Sequence, residues 1–241
     1  FAILYLMNKY HQEIVGLYES YTGAFQSKLK SGYIGSSKFS YPISTPESRR
    51  IFVSWLKDKN FTKKEYKELL DSLSRGKSHN EFGAIGKLLE YLPELRRTLR
   101  PKFLDYWLGS AEGWAEVDNI CQGQFSAQEL LENWVEWKRF IKELNSSENV
   151  HKMRASLVLL TSPVRHSQSK KLSDMAFKNI DKLLDEKDIL ITKAVSWMLR
   201  DLTKNHRNAV ESYLKKKEDF LPRVAVRETK NKLKTGRKQG K

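Results

Sequence analysis

The sequence predicts an all-α protein in which antiparallel helix pairs stack side by side, a helical solenoid in preference to a compact bundle. Three observations carry that reading. Nearly every segment repeats its apolar residues at helical spacing. Several of these segments open on recognisable helix-start signals. No alternating run bounded by turn signals argues for a sheet. With 241 residues, 39% of them hydrophobic and 30% charged, the chain is globular rather than disordered and can bury a sizeable core. Roughly a dozen helices of about 12–20 residues with short connections are expected. Self-similarity between pairs is too weak to establish a sequence repeat.

The elements follow in chain order. Phe1-Ala2-Ile3-Leu4-Tyr5-Leu6 is apolar but too short to span a bilayer. No basic stretch precedes it, which makes it a poor signal peptide. Residues 1–6 are therefore expected to be an upstream extension, with Met7 as the start and Asn8-Lys9-Tyr10 opening the first helix. Ser31 to Thr45, rich in Gly and Ser, is the longest irregular stretch. Thr45-Pro46 reads as an N-cap followed by proline at the first helical position, ahead of Ile51, Phe52, Trp55 and Leu56. Thr62-Lys63-Lys64-Glu65 is a capping-box pattern, with Tyr66, Leu69, Leu70 and Leu73 following at helical spacing. Pro93 and Pro101 punctuate the middle. Ser126-Ala127-Gln128-Glu129 is a second capping box, leading into Leu130, Leu131, Trp134, Ile141 and Leu144. Residues 7–233 are expected to form one helical domain, and 234–241 a disordered basic tail.

Charge narrows the partners. The formal net charge is +15; residues 215–241 hold +8 of it, leaving +7 on residues 1–214. A lysine-rich end adds sequence-independent attraction to a polyanion without defining a site. The basic body is the more informative half. Cys121 is the single cysteine, so no intrachain disulfide forms, which suits a reducing compartment such as the cytoplasm. A zinc site built on several thiolates is excluded, and the five His residues show no metal-ligand spacing; His151, His166 and His206 have no partner pattern.

Two tryptophans stand out among six. Trp114 lies four residues before Asp118, so in a helix the indole and the carboxylate share a face. Trp197 lies three residues before Arg200. On composition alone both tryptophans are core residues, Asp118 is a solvated or capping acid, and Arg154 and Arg200 are surface ion-pair partners. Trp55, Trp107, Trp134 and Trp137 read as core or partly buried, and Cys121 as a small buried hydrophobe.

Order and spacing change that balance. The segment Tyr41 to Arg50 enters a helix through Pro46-Glu47 followed by Arg49-Arg50. Beyond it come Trp114-Ala115-Glu116-Val117-Asp118, Met153-Arg154-Ala155, Lys193-Ala194-Val195-Ser196-Trp197-Met198-Leu199-Arg200 and Arg227-Glu228-Thr229-Lys230. Together, from about Ser31 to Lys232, they resemble the AlkD-like DNA alkylation repair proteins, a family of HEAT-like helical-repeat DNA glycosylases. The motif around Asp118 departs from the family in carrying Ala115-Glu116 where a second acid or a hydroxyl residue is common. The stretch between Arg154 and Trp197 is a few residues longer than usual.

The resemblance implies a right-handed superhelical solenoid of HEAT-like repeats, an ARM-type superfold. It implies a monofunctional glycosylase that excises cationic N3- and N7-alkylated purines from double-stranded DNA, acting as a monomer without metal or cofactor and away from membranes. It makes Asp118 the catalytic carboxylate, with Trp114 and Trp197 flanking the lesion's deoxyribose. Arg154, Tyr33 and Arg200 become DNA contacts. A helical-repeat protein that binds branched or structured DNA without catalysis is the rival expectation, and the presence of Asp118 favours the enzyme. A protein–protein scaffold fits the fold but not the basic body.

Overall fold

The structure is a computed structural model that describes residues 7–23 and 35–239. Fourteen helices and no strand occur among the described residues; one isolated parallel bridge joins Phe39 to Ser78. The all-α expectation holds. No helix among the described residues is long and apolar enough to cross a membrane. The chain packs as two compact units, one ending at Ile120 and the other starting at Cys121.

The first unit contains α1 (Lys9–Glu19), α2 (Thr45–Leu56), α3 (Lys63–Leu73), α4 (His79–Tyr91), the single turn α5 (Pro93–Arg96), α6 (Phe103–Gly109) and nearly all of α7 (Trp114–Cys121). The Thr62 capping box forms: its hydroxyl accepts from Glu65 N, and the Glu65 carboxylate accepts from Thr62 N at 3.0 Å. With the helix started there, Tyr66, Leu69, Leu70 and Leu73 all turn inward and are fully buried. Each such burial stabilises the fold by about 1.5–3 kcal/mol. Ser78 and Glu81 build a further capping box that opens α4. The buried Glu81 also accepts from His11 Nε2 at 2.8 Å, while His11 Nδ1 bonds Ser72 Oγ at 2.8 Å, so one histidine fastens α1 to α3 and α4. Trp107 is fully buried and donates to Asp71 at 2.8 Å; Trp55 is half-buried and donates to Glu13.

Helix α2 starts one residue earlier than its sequence suggests. Ser44, not Thr45, is the N-cap, and its Oγ accepts from Glu47 N at 3.3 Å. Both hydroxyls are competent caps; Glu47 lies three residues beyond Ser44, the spacing that puts an N3 amide over the cap oxygen.

The second unit contains α8 (Ala127–Glu132), α9 (Trp134–Asn145), α10 (Val150–His166), α11 (Lys170–Lys182), α12 (Ile189–Leu202), α13 (Arg207–Lys217) and α14 (Arg223–Thr235). The run after Ser126 is two helices rather than one: Asn133 leaves the helical region at φ −115°, ψ 39°. The break re-aims the second half so that Trp137, Phe140, Ile141 and Leu144 form its buried stripe, with Trp134 half-exposed. Breaks of this kind, with the short turn at Pro93, make the helices shorter and more numerous than expected, from 4 to 17 residues.

Within this unit the closest packing joins alternate helices, α10 with α12 and α12 with α14. That two-helix period is the one stacked helix pairs produce. A buried amide pair reinforces it. Asn145 donates to Ser156 Oγ at 3.0 Å and Asn179 donates to Ser156 O at 3.0 Å, which joins α9, α10 and α11. Helix α14 runs to Thr235 and stops at Gly236, whose φ of 73° is left-handed. Lys232 and Lys234 lie in its last turn.

Candidate active site

Helix α7 presents the Trp-x-x-x-Asp pair. Its inward face is Val117, Ile120 and Cys121, all buried, and the half-buried Trp114 and Asp118 stand one turn apart. One close approach seats the helix against α4. Gly86 of α4 faces the α7 backbone so tightly that a Cβ on it would lie 2.1 Å from the Asn119 carbonyl oxygen. Gly35, at φ +73°, would bring a Cβ to 3.5 Å from Gly113 Cα and 3.8 Å from Trp114 Cδ1. Gly35 therefore lies near the Trp114 indole, with ordinary room between them.

Between the pair lies Glu116, with no exposed side-chain surface. Its Oε1 accepts from Ser36 Oγ at 2.7 Å and its Oε2 from the Glu112 amide at 2.7 Å. Lys38 Nζ stands 3.5 Å from Oε2, and His79 Nδ1 3.5 Å from Oε1. Burial alone would raise this carboxyl. His79, the Glu112 amide, the Ser36 hydroxyl and Lys38 outweigh it and bring it from the ordinary 4.5 to about 2. Glu116 is therefore an ionised acceptor, engaged on both oxygens. Lys38 also donates to Ser110 O at 3.2 Å and pairs with Glu112 at 3.0 Å.

The other predicted residues belong to the second unit. Arg154, in α10, is 4% exposed, and its Nη1 donates to Leu190 O at 2.9 Å, in the first turn of α12. Trp197 is half-buried two turns further along α12. It lies beside Asp201, which repeats the Trp-x-x-x-Asp spacing of α7. Burial raises the Asp201 carboxyl, against the pull of Arg165, the Trp197 indole N–H, Arg200 and Lys232. Arg200 Nε donates to Ser196 O at 3.1 Å and sits 3.5 Å from Glu228 of α14, which also accepts from Ser196 Oγ at 2.6 Å. Tyr33 lies outside the described residues.

The structure thus brings Trp114 and Asp118 together on α7, and groups Arg154, Trp197 and Arg200 on α10 and α12. Glu116 and Asp201 are the residues sequence reading passed over. The repeat of Trp-x-x-x-Asp could have pointed to Asp201; no local signal predicts partners for Glu116 at positions 36, 38 and 79.

The family model for DNA alkylation repair enzymes matches residues 30–233, most of the chain. The chain belongs to the DNA alkylation repair enzyme family. A solved structure described as a predicted DNA alkylation repair enzyme from Enterococcus faecalis is similar in fold, with a TM-score of 0.67 and 20% identity over 85% of this chain and 95% of that one. No curated protein matches the chain. A member of this family with a formal charge of +15 has the electrostatics that a DNA substrate asks for.

Proposed function

We propose that this member of the family is a monofunctional DNA glycosylase that hydrolyses the N-glycosidic bond of N3- or N7-alkylated purines in duplex DNA and leaves an abasic site. The observation that carries the reading is the half-exposed carboxylate of Asp118 standing one turn from the half-exposed indole of Trp114, in a chain otherwise built to attract a polyanion.

Alkylation at N7 places a positive charge on the base, so the base leaves as a neutral molecule and needs no proton from the protein. The remaining task is to stabilise an oxocarbenium-like sugar and to direct water to C1′. One ionised carboxylate meets the first need when it stands where the positive charge develops. Asp118 fills that role and orients the water. The faces of Trp114 and Trp197 attract a cationic sugar or base, each by about 0.5–2 kcal/mol. A carboxylate near DNA repels phosphate, a cost that is returned only in the transition state. Arg154, Arg200 and Tyr33 hold the surrounding backbone, and the protein engages the duplex as a monomer.

The test is release of 7-methylguanine from duplex DNA under single-turnover conditions, with Asp118→Asn as the control. Wild type should release base far above the spontaneous rate. Asp118→Asn should lose on the order of 10²–10³-fold, the loss seen when one preorganised charge-stabilising group is removed. A wild type that binds DNA but releases nothing would move the protein to the non-catalytic reading. Full activity in Asp118→Asn would keep the function and remove the site.

A further inference from the structure

Glu116 has no part in the chemistry just described, yet it is fully buried and engaged on both oxygens. A carboxylate without exposed surface is expensive unless its lone pairs are filled, and an apolar side chain of similar size generally serves packing as well or better. Here the partners come from three separate places. Ser36 and Lys38 belong to the irregular segment ahead of α2, His79 to the first turn of α4, and Glu112 to the turn before α7.

The same irregular segment is stitched down along its length. Ser37 donates through its amide to Glu112 Oε2 at 3.1 Å, Phe39 O accepts from His79 N at 2.8 Å, and Tyr41 N donates to Asn80 Oδ1 at 2.9 Å. Gly35, immediately before Ser36, lies close enough to Trp114 that a Cβ on it would stand 3.8 Å from the indole Cδ1. The Ser36–Glu116 bond is thus the tie adjacent to the Gly35 backbone.

We propose that Glu116 is a positioning residue: by clamping Ser36 and Lys38 to the buried side of α7, it fixes the Gly35 backbone against Trp114 and so sets the angle at which Trp114 and Asp118 meet the lesion's sugar. The proposal rests on the glycosylase reading. It differs from a stability role in what it predicts for the folded enzyme. A carboxylate that only stabilises would, when altered, lower Tm and leave the rate of the remaining folded molecules unchanged. A positioning carboxylate lowers the rate at saturating enzyme with DNA affinity intact, because misplacement of reacting groups by about 1 Å is felt on the order of 10²-fold in rate.

The experiment compares wild type, Glu116→Gln, Ser36→Ala, Lys38→Met and the Glu116→Gln/Ser36→Ala pair, well below each Tm. Single-turnover release of 7-methylguanine and Kd for the same duplex are read in parallel, with amide hydrogen exchange over residues 35–41. Glu116→Gln should slow release on the order of 10-fold or more, leave Kd within about twofold, and speed exchange at residues 35–38. The double variant should be no slower than Glu116→Gln, because both changes open one contact. Should Glu116→Gln not fold, Ser36→Ala and Lys38→Met leave α7 intact and carry the same test. Wild-type rates with lowered Tm would overturn the proposal and return Glu116 to a purely structural role. Additive losses in the double variant would overturn it too. A wild type that releases no base overturns the glycosylase reading, and this proposal with it; an active wild type with an equally active Glu116→Gln overturns this proposal alone.

Discussion

Arg154 Nη1 donates a 2.9 Å hydrogen bond to the carbonyl oxygen of Leu190, so a residue proposed to hold DNA also fastens α10 to the first turn of α12. The side chain is 4% exposed. Its charge and its shape therefore serve packing as well as any contact with phosphate. Arg154→Met keeps most of the aliphatic stem but removes the charged bond to the Leu190 carbonyl. It should lower unfolding stability by about 2 kcal/mol, the usual range for losing a charged hydrogen bond in a buried place. Urea denaturation reads this directly as a lower midpoint. Arg154→Lys keeps the charge but not the planar fork and should recover only part of the loss. An unchanged midpoint in Arg154→Met would mean that the tie to α12 contributes nothing.

Two glycines of α4 make a paired prediction, because both face Asn119 of α7 at different distances. A Cβ at Gly86 would lie 2.1 Å from the Asn119 carbonyl oxygen, a backbone atom that cannot swing aside. A Cβ at Gly83 would lie 3.5 Å from the Asn119 side-chain amide, an ordinary contact. Gly86→Ala should destabilise by about 1–3 kcal/mol or more through overpacking and displace the helix that carries Asp118. Gly83→Ala should stabilise by up to about 1 kcal/mol, because alanine is the better helix former. Thermal unfolding of the two variants side by side distinguishes them. Equal shifts would contradict the close α4–α7 approach.

What the sequence disclosed and what it hid divides along the range of the interactions. The Thr62 box, the buried stripe behind it, and the face shared by Trp114 and Asp118 depend on residues three and four apart, and all were legible. The break at Asn133 was not, because Leu130, Leu131 and Trp134 continue a helical pattern without interruption and Asn133 carries no proline or glycine warning. Arg154 reads as a surface arginine because nothing local reveals that α12 will cover it. Glu116 is the sharpest case. Its position in the motif is visible, but its meaning comes from Ser36, 80 residues away, and from His79. Side chains that act through long-range partners need the fold before their role can be read.

Asp201 gives a pH prediction with an unusual sign. Its carboxyl is raised above the ordinary 3.8, chiefly by burial, and Arg165 at 3.9 Å is too distant to offset it. The folded protein thus holds this proton to higher pH than the unfolded chain does. Over that interval the native state binds more protons, so stability falls as pH rises from about 3.8 through the folded value. Asp201→Asn removes the term while keeping a carbonyl acceptor for the Trp197 indole. It should unfold at a higher temperature than wild type at neutral pH, with the advantage shrinking below pH 4. A neutral-pH Tm below that of wild type would show that the charge on Asp201 is stabilising after all.

Glu116 carries the opposite sign and the larger effect. Its carboxyl is brought from 4.5 to about 2, so the folded state gives up this proton more readily than the unfolded chain. The stabilisation is fully present above pH 4.5 and is lost as pH falls from there toward 2. A shift of that size corresponds to about 3 kcal/mol at neutral pH, a large share of what holds a domain folded. Acid unfolding of wild type should therefore steepen between pH 4.5 and 2. Glu116→Gln should be less stable at neutral pH and show a visibly shallower acid slope over the same interval, since glutamine has no proton to take up. Chemical denaturation at a series of pH values measures both. Parallel curves for the two proteins would place the acid sensitivity elsewhere and remove Glu116 as the ionised centre of the contacts that hold residues 36–38 to α7.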